Sequence, residues 1–547
     1  MSRRTILWLV AAVALVAGQS GCRGLREYVQ NGYKVGPNYC EPAILVADEW
    51  LDSTSPRLVR DTTQTQRWWR VFNDPVLERL IETAYRQNIS LREAGFRVAA
   101  SQYERAVAAG NLWPQSQQLF GDYFRNQRST QTALFPRDLS FPLPPALVVR
   151  AFDNWRVGGA LAWELDFWGR YRRAIEAADA RLDAAVENYD DALVLLIAEV
   201  ASTYVEIRTL QQRLEYAQEN VELQRESARI AQARRDVAAI DAEVDAPQAR
   251  SNLFQTEAAI YLLRINLRRA QNRLAVLLGM PPHDLTPLLE PPLGIPTAPP
   301  TVALEVPAVL LRRRPDVRRA ERLVAAQSAA IGIAESNLYP AISISGALQV
   351  EAEDFSRLFN SQAWAGNVGP LFRWNVLNYG RLVNLIRVED ARLQQQIAAY
   401  QQTVLRANEE AENAIVGFLL LHERIALLRQ SVAEAQEAAR VTQAKYRAGR
   451  IEFNRVFTIE QFLVAQQDQL AQSQGDLAQS LIQLYKAVGG GWELRLEEPQ
   501  AGSGFPAAVP PAPAPLPAPP PMGQTDSPPA PADQRAQTFR SPRPGEE

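Results

Sequence analysis

The sequence predicts a mainly helical protein built as two tandem repeats, each carrying a pair of two-faced strands that suit a membrane. Three observations predict it. Residues 170–237 contain neither proline nor glycine, which allows an uninterrupted helix about 100 Å long. Residues 155–167 alternate apolar side chains (Trp155, Val157, Leu161, Trp163, Leu165, Phe167) with small or polar ones, then meet Gly169-Arg170. The same order of segments then recurs. The stretch from Asp316 lies 226 residues after that from Ser90, and Asn337-Leu338-Tyr339-Pro340 lies 226 after Asn111-Leu112-Trp113-Pro114. Trp374 and Gly380-Arg381 lie 211 after Trp163 and Gly169-Arg170, and residues 484–489 lie 210 after 274–279. Each repeat therefore reads helix, strand, strand, very long helix, turn, return helix.

Composition narrows the function. The 547 residues are enough for several core-sized units, and 47 % hydrophobic with 22 % charged residues is ordinary for a folded chain. A net charge of −3 gives no reason to expect nucleic acid as a partner. Two histidines (His283, His422) and two cysteines (Cys22, Cys40) are too few for a multi-ligand zinc site. P-loop, GxSxG and GxGxxG strings are absent, so nothing suggests an enzyme or a cofactor.

Residues 1–21 read as a secretory signal. Arg3 and Arg4 precede an apolar run, 6–17, too short to span a bilayer comfortably. A twin-arginine signal is the alternative. Ser20-Gly21-Cys22 resembles a lipobox in which Cys22 becomes a lipidated N-terminus, although Gln19 stands where an apolar residue is usual. The other reading is cleavage near Gly18, with Cys22 and Cys40 free to pair in an oxidising compartment.

Residues 22–74 form an irregular N-terminal segment. The first repeat spans 75–280. Asp74-Pro75 is a helix start, and Leu77, Leu80, Ile81, Ala84, Leu91, Ala94 and Val98 keep helical spacing up to Pro114, which predicts one helix. Strands are expected at about 115–128 and 154–168, around a proline-rich loop. In the long helix Leu193, Ile197, Val200, Tyr204, Ile207, Leu210, Leu214, Ala217 and Val221 step by three and four, as in a coiled coil. The chain turns near 237–245 and a return helix runs from about Pro247 to Leu278, before Gly279-Met280-Pro281-Pro282. A linker covers 281–314. Within it Arg312–Arg314 resembles a basic patch, but Pro315-Asp316 makes it the approach to a helix start. The second repeat spans 315–495 and ends near Gly489–Gly491, which reads as a helix terminus. Residues 496–547 are Pro/Ala-rich and are expected to be disordered or polyproline-like.

The strands of the second repeat are expected at about 341–352 and 364–378. One sets Ile342, Ile344, Leu348 and Val350 against Ser343, Ser345, Gln349 and Glu351. The other sets Trp364, Val368, Phe372, Trp374 and Val376 against Asn367, Arg373 and Asn375. The first strand of the chain (Leu119, Gly121, Tyr123) alternates weakly. A soluble antiparallel sheet would give the same pattern. The export signal, the absence of a spanning apolar run and helices too long to wrap a small sheet favour the membrane. Four strands cannot close a barrel, since such barrels need at least about eight, and an open edge in lipid leaves backbone groups unsatisfied. Three chains would supply twelve. Arg156, Glu164, Asp166, Ser345, Asn367 and Arg373 would then face the pore.

Several motifs occur in order: VGPNY at 35–39, RWW…FNDPVLERLIETA from Arg67, WELDFWGRYRRA from Trp163, LLRRRPDVRRAE from Leu310 and LYKAVGGGW ending at Trp492. Together they resemble the outer-membrane efflux proteins of the TolC family, in particular the NodT-type lipoprotein branch that works with RND pumps. The resemblance implies a homotrimer with a twelve-stranded barrel in the outer membrane and a twelve-helix tunnel through the periplasm. It implies a passive duct without chemistry, fed by an inner-membrane RND pump through a periplasmic adaptor, and opening at its helical tip. The tip would comprise the two turns. The first holds Asp236, Ala239, Asp241, Glu243 and Asp245; the second holds Tyr446, Arg447, Gly449, Arg450, Arg455 and Thr458. Asp245 fits the family's acidic position at the first turn, whereas Arg455 departs from it at the second turn and Thr458 departs from a second acidic position seen in TolC itself. The opposite charges of the turns suggest that Arg455 pairs with Asp245 or Asp241, within or between protomers, and that packing around Tyr446 and Phe457 is the alternative closure. A type I protein-secretion duct and a poreless periplasmic coiled-coil scaffold are the competing functions.

Overall fold

The structure is a computed structural model that describes residues 28–43, 46–61, 65–127, 129, 151–236 and 242–497. Among them β1 (Leu58–Val59) is followed by α1 (Pro75–Gln87), α2 (Ile89–Gly110), β2 (Ser116–Gln127), β3 (Ala151–Glu164), α3 (Arg170–Asp236) and α4 (Ala242–Leu277). Then come β4 (Val302–Ala303), α5 (Pro307–Arg313), α6 (Pro315–Ser336), β5 (Ala341–Ala352), β6 (Trp364–Arg373), α7 (Arg381–Arg447) and α8 (Phe453–Ala487). Strands β2-β3-β5-β6 form one antiparallel sheet in that order, and β1 pairs with β4 in parallel.

The two long helices are 67 residues each. α3 lies along α4, and α7 along α8. α8 also packs on α3, and α6 sits between α3 and α7. The core gathers where the short helices meet the upper part of α3. Trp68, Trp69, Val76, Leu77, Leu193, Tyr204, Leu278 and Leu481 are all fully buried there.

Asp74 starts α1 as expected. Its Oδ1 accepts from the amides of Val76 (2.9 Å) and Leu77 (3.1 Å), and its Oδ2 accepts from the Tyr204 hydroxyl (2.6 Å). The single helix read over 75–112 is in fact two. Asn88 leaves helical backbone (φ −62°, ψ 126°), its side chain accepts from Leu91 N at 2.8 Å, and its amide donates to Leu277 O at 2.8 Å. An asparagine that caps α2 and holds the end of α4 overrides an unbroken apolar period. The return helix starts at Ala242 and keeps Pro247 inside it; near the helix start only one intrahelical bond is lost.

Contacts repeat as the sequence does. Arg314 Nη1 donates to Ala487 O (2.8 Å) as Asn88 does to Leu277 O. Trp163 Nε1 donates to Leu112 O (3.1 Å) and Trp374 Nε1 to Leu338 O (2.9 Å). Gly169 and Gly380, just before the long helices, both have positive φ (78° and 79°). Gly279 (φ 74°) admits no other residue: a Cβ would stand 2.3 Å from Gln87 O.

Candidate functional site: a two-faced sheet and a helical tip

Register fixes which side chains share a face. Leu161 lies opposite Gly346, Val157 opposite Val350, Leu348 opposite Gly366, and Gly346 opposite Val368. That face is apolar and bare: Leu119 is 93 % exposed and Val368 80 %. A contiguous apolar face of this kind marks a membrane or partner surface. Trp155 stacks near Tyr123 (4.4 Å between centroids) and Phe355 (5.1 Å) at one end of it, and Trp163 and Phe372 stand near the other. Eight residues separate Trp155 from Trp163, about 26 Å along a strand, or about 20 Å after a barrel-like tilt. Aromatic girdles flanking an apolar band of about 25 Å are the signature of membrane strands. No helix among the described residues is long and apolar enough to cross a membrane.

The opposite face is polar. Arg156 makes a two-pronged pair with Asp122 across β2 and β3 (2.9 and 3.0 Å). Ser345 lies opposite Ala162, Asn367 opposite Ala347, and Arg373 opposite Ala341 at the end of β6. Glu164 closes β3 and pairs with Arg170 at 3.3 Å. Asp166 is a correction. β3 ends at Glu164 and β6 at Arg373, short of the 168 and 378 expected. The Asp166 carboxylate turns back to accept from the amides of Tyr171 (2.9 Å) and Arg172 (3.0 Å) and from Arg172 Nε (2.9 Å). An aspartate just before a helix satisfies its orphan amides, and that outweighs continuing the strand.

Among the described residues both outer strands of the sheet, β2 and β6, have one neighbour each. In lipid those edges require partners.

At the far end of the long helices, Asp245 accepts from the Tyr446 hydroxyl at 3.2 Å. Tyr446 is fully buried among Ala231, Ala246, Ala249, Phe453 and Val456, with Arg234 over its ring at 4.7 Å. Burial, with Asp245 beside it, pushes its hydroxyl pKa up to about 12. Phe457 packs against the same cluster. Arg447 pairs with Glu226 at 2.6 Å, and Asp236 accepts from Gln232 at 2.8 Å. Gly449 makes the turn with φ 72°. Glu243, Arg450, Arg455 and Thr458 are exposed, and the Thr458 hydroxyl donates to Asn454 O within its own helix. Within the protomer Arg455 makes no ion pair among the described residues. Cys22, Ala239 and Asp241 lie outside them. Arg314 is the N-cap residue of α6 and is buried against Asp316 and Glu410.

Sequence reasoning missed Glu460. It is 2 % exposed, on α8 between α3 and α4. The signal was present: Val456, Glu460, Leu463, Gln467 and Leu470 follow coiled-coil spacing, with polar residues at two inner positions.

The family model for outer membrane efflux proteins matches residues 80–280 and 306–490. The chain belongs to that family. This outer-membrane efflux protein is 27 % identical over 468 residues to nodulation protein T of Rhizobium leguminosarum bv. trifolii, covering 84 % of this chain and 95 % of the relative. It is 29 % identical over 439 residues to the pyoverdine export outer membrane protein OpmQ of Pseudomonas putida, covering 78 % and 88 %. Among solved structures it superposes on the outer-membrane channel OprN with TM-score 0.76 and 32 % identity, covering 84 % of this chain and 99 % of that one. The open-state MtrE channel of Neisseria gonorrhoeae shares the fold, with TM-score 0.72 at 24 % identity over 84 % and 98 % of the chains. The protein is thus an efflux channel component of the outer membrane with a TolC-like fold.

Proposed function

We propose that the protein is the exit duct of a three-part efflux system. Three copies close a twelve-stranded barrel, and an inner-membrane RND pump passes small molecules to it through a periplasmic adaptor docked at the tip turns. The observation that carries this reading is the four-stranded sheet with one lipid-compatible face, one polar face and two open edges. The internal repeat supports the ring. α6 packs against both α3 and α7, whereas its counterpart α2 packs extensively against α3 alone. α8 buries its apolar stripe on α3, whereas its counterpart α4 leaves Phe254, Tyr261 and Leu262 at 60 % exposure or more. A second copy whose α7 covers α2 and α4 completes both sets of contacts, and repeating that step closes a ring. The polar parity (Arg156, Glu164, Ser345, Asn367, Arg373) then lines the pore.

Within such a ring Arg455 meets the acidic turn of the next protomer, and the Tyr446 cluster is the intraprotomer half of the closure. Cys22 is the lipid anchor, which loss of fatty-acid labelling in Cys22→Ser tests. The test of the duct itself is reconstitution of the full chain in planar bilayers, with drug export measured in cells that also carry an RND pump and adaptor. Discrete conductance steps and pump-dependent export are expected. No conductance refutes the duct, and export only of a type I protein substrate moves it to the secretion class.

A further inference from the structure

Near the tip, the interface between the two helical hairpins changes character for one layer. On the tip side lies the apolar cluster of Ala231, Ala246, Ala249, Tyr446, Phe453 and Val456. On the other side lie Leu463 with Ala435 and Ala439, and Val221 with Leu253 and Ile260. Between them sits Glu460 of α8. Its Oε1 accepts from the Ser227 hydroxyl of α3 at 2.6 Å, and its Oε2 accepts from Asn252 Nδ2 of α4 at 3.2 Å. The layer extends through Gln461, which donates to Asn252 Oδ1, and through Gln443 of α7, which donates to Ser227 Oγ at 3.3 Å. The carboxyl therefore joins α8 to α3 and α4, and α7 reaches it through Ser227.

Among the described residues no cation pairs with it. On α3, Glu226 pairs with Arg229 and with Arg447 of α7, and Arg225 pairs with Glu222 and Glu257. Arg234 lies over Tyr446, and Arg250 of α4 donates to Gln232. On α7, Arg440 pairs with Glu437; on α8, Asp468 pairs with Arg213 and Arg455 is exposed. Gln224, one turn before Ser227 on α3, has both amide atoms buried without a partner. The carboxyl thus lies in a neutral polar layer closed above and below by apolar clusters, and its burial without a counter-charge disfavours the ionised form more than its two accepted hydrogen bonds favour it.

We propose that the Glu460 layer is a proton-operated latch that holds the α7–α8 hairpin against the α3–α4 hairpin and releases it when the carboxyl ionises. The mechanism needs only proton exchange with the periplasm. Neutral Glu460 fits between the apolar layers. The carboxylate is better solvated once α8 separates from α3 and water enters the layer. Burial pushes the pKa of Glu460 up to about 7, while the Ser227 and Asn252 hydrogen bonds act in the opposite direction. In the separated state the group returns toward its ordinary 4.5. The latched state is therefore fully favoured below about pH 4.5 and is lost progressively as pH rises through 7. In that window the ratio of separated to latched protomers rises by up to tenfold per pH unit. The latch would regulate the duct proposed above and rests on that reading for its role, though not for its existence.

The experiment uses the full chain with Cys22 and Cys40 replaced by Ser and spin labels on the exposed tip positions Glu243 and Arg450. The distance between labels is measured from pH 5 to pH 8, alongside single-channel recordings. The wild-type background is expected to shift from one short distance toward a longer one as pH rises toward 7 and to level off above it, with its open probability rising in parallel. Glu460→Gln and Glu460→Leu, which remove the charge and continue the coiled-coil pattern, are expected to stay at the short distance throughout. A wild-type distance that ignores pH overturns the latch. So does a Glu460→Gln variant that follows the wild-type curve or stays separated at every pH. A channel that never conducts refutes the duct instead, while the label distances still decide the latch.

Discussion

One carboxyl holds the junction between α1 and α3. Asp74 caps α1 with Oδ1 and receives the buried Tyr204 hydroxyl on Oδ2, and Arg208 Nε donates to that same hydroxyl at 3.0 Å. Arg208 in turn donates to Leu289 O at 2.6 Å, tying in the linker between the repeats. Removing the cap costs about 1 kcal/mol, and leaving a buried hydroxyl short of a partner costs about 1–3 kcal/mol. Asp74→Ala is therefore expected to destabilise the protein by roughly 2–3 kcal/mol, and Tyr204→Phe by about 1 kcal/mol, since the cap survives in the second variant. Chemical denaturation in detergent, followed by circular dichroism, checks both; equal costs for the two would mean that the cap contributes nothing. At this scale the sequence was half legible. The pair Asp74-Pro75 announced the helix start, because capping chemistry is local. The partner Tyr204 was not legible, because a contact 130 residues away depends on how α3 is laid against α1.

Among the elements, period-two alternation located the four strands of the antiparallel sheet but not the short pair β1 and β4, and register then showed that even the weakly patterned β2 shares the apolar face, with Leu119 opposite Gly159. Strand ends were less legible. Alternation continues through Leu165 and Phe167, but Asp166 is claimed by the first turn of α3, and no pattern of hydrophobicity reports that competition. The break at Asn88 was hidden for the same reason: apolar spacing runs across it, and the cap acts on the backbone. Facing makes a sharp expectation. Leu161→Arg puts a charge on the apolar side of β3 and is expected to cost about 2–4 kcal/mol and impair assembly. Ala162→Arg, one position along on the polar side and opposite Ser345, is expected to assemble and to alter conductance. Heat-resistant oligomer on a gel and single-channel current distinguish them. Equal tolerance would remove the strands from lipid.

For the whole molecule, the repeat specifies a contact that a single protomer does not contain. Trp168, just before α3, stacks on Tyr339, just after α6, at 4.6 Å. The counterparts one repeat away are Tyr379 and Trp113, and they are 96 % and 67 % exposed. In the proposed ring Tyr379 stacks on Trp113 of the next copy. Cysteines at both positions are expected to cross-link protomers into covalent trimers under mild oxidation, and either cysteine alone to give none; monomers throughout would exclude this ring. The order of segments and their recurrence were readable from residue offsets alone, because each half keeps its spacing on either side of a strand-pair loop that is longer in the first half. The polar layer at Glu460 was overlooked because a few glutamate and glutamine positions look like surface until three helices are placed around them. The equal length of α3 and α7 has a consequence of its own. Both hairpins descend from the sheet by the same residue count, so the span between outer membrane and tip is written in the gene as a number of codons. A seven-residue deletion in α3 alone would leave the two turns out of level by about 10 Å and shift one hairpin's seam off its neighbour. The same deletion made at matching sites in α3, α4, α7 and α8 would shorten the reach and keep every layer in phase, so lineages facing a thinner or wider envelope can change this length only in matched sets of four.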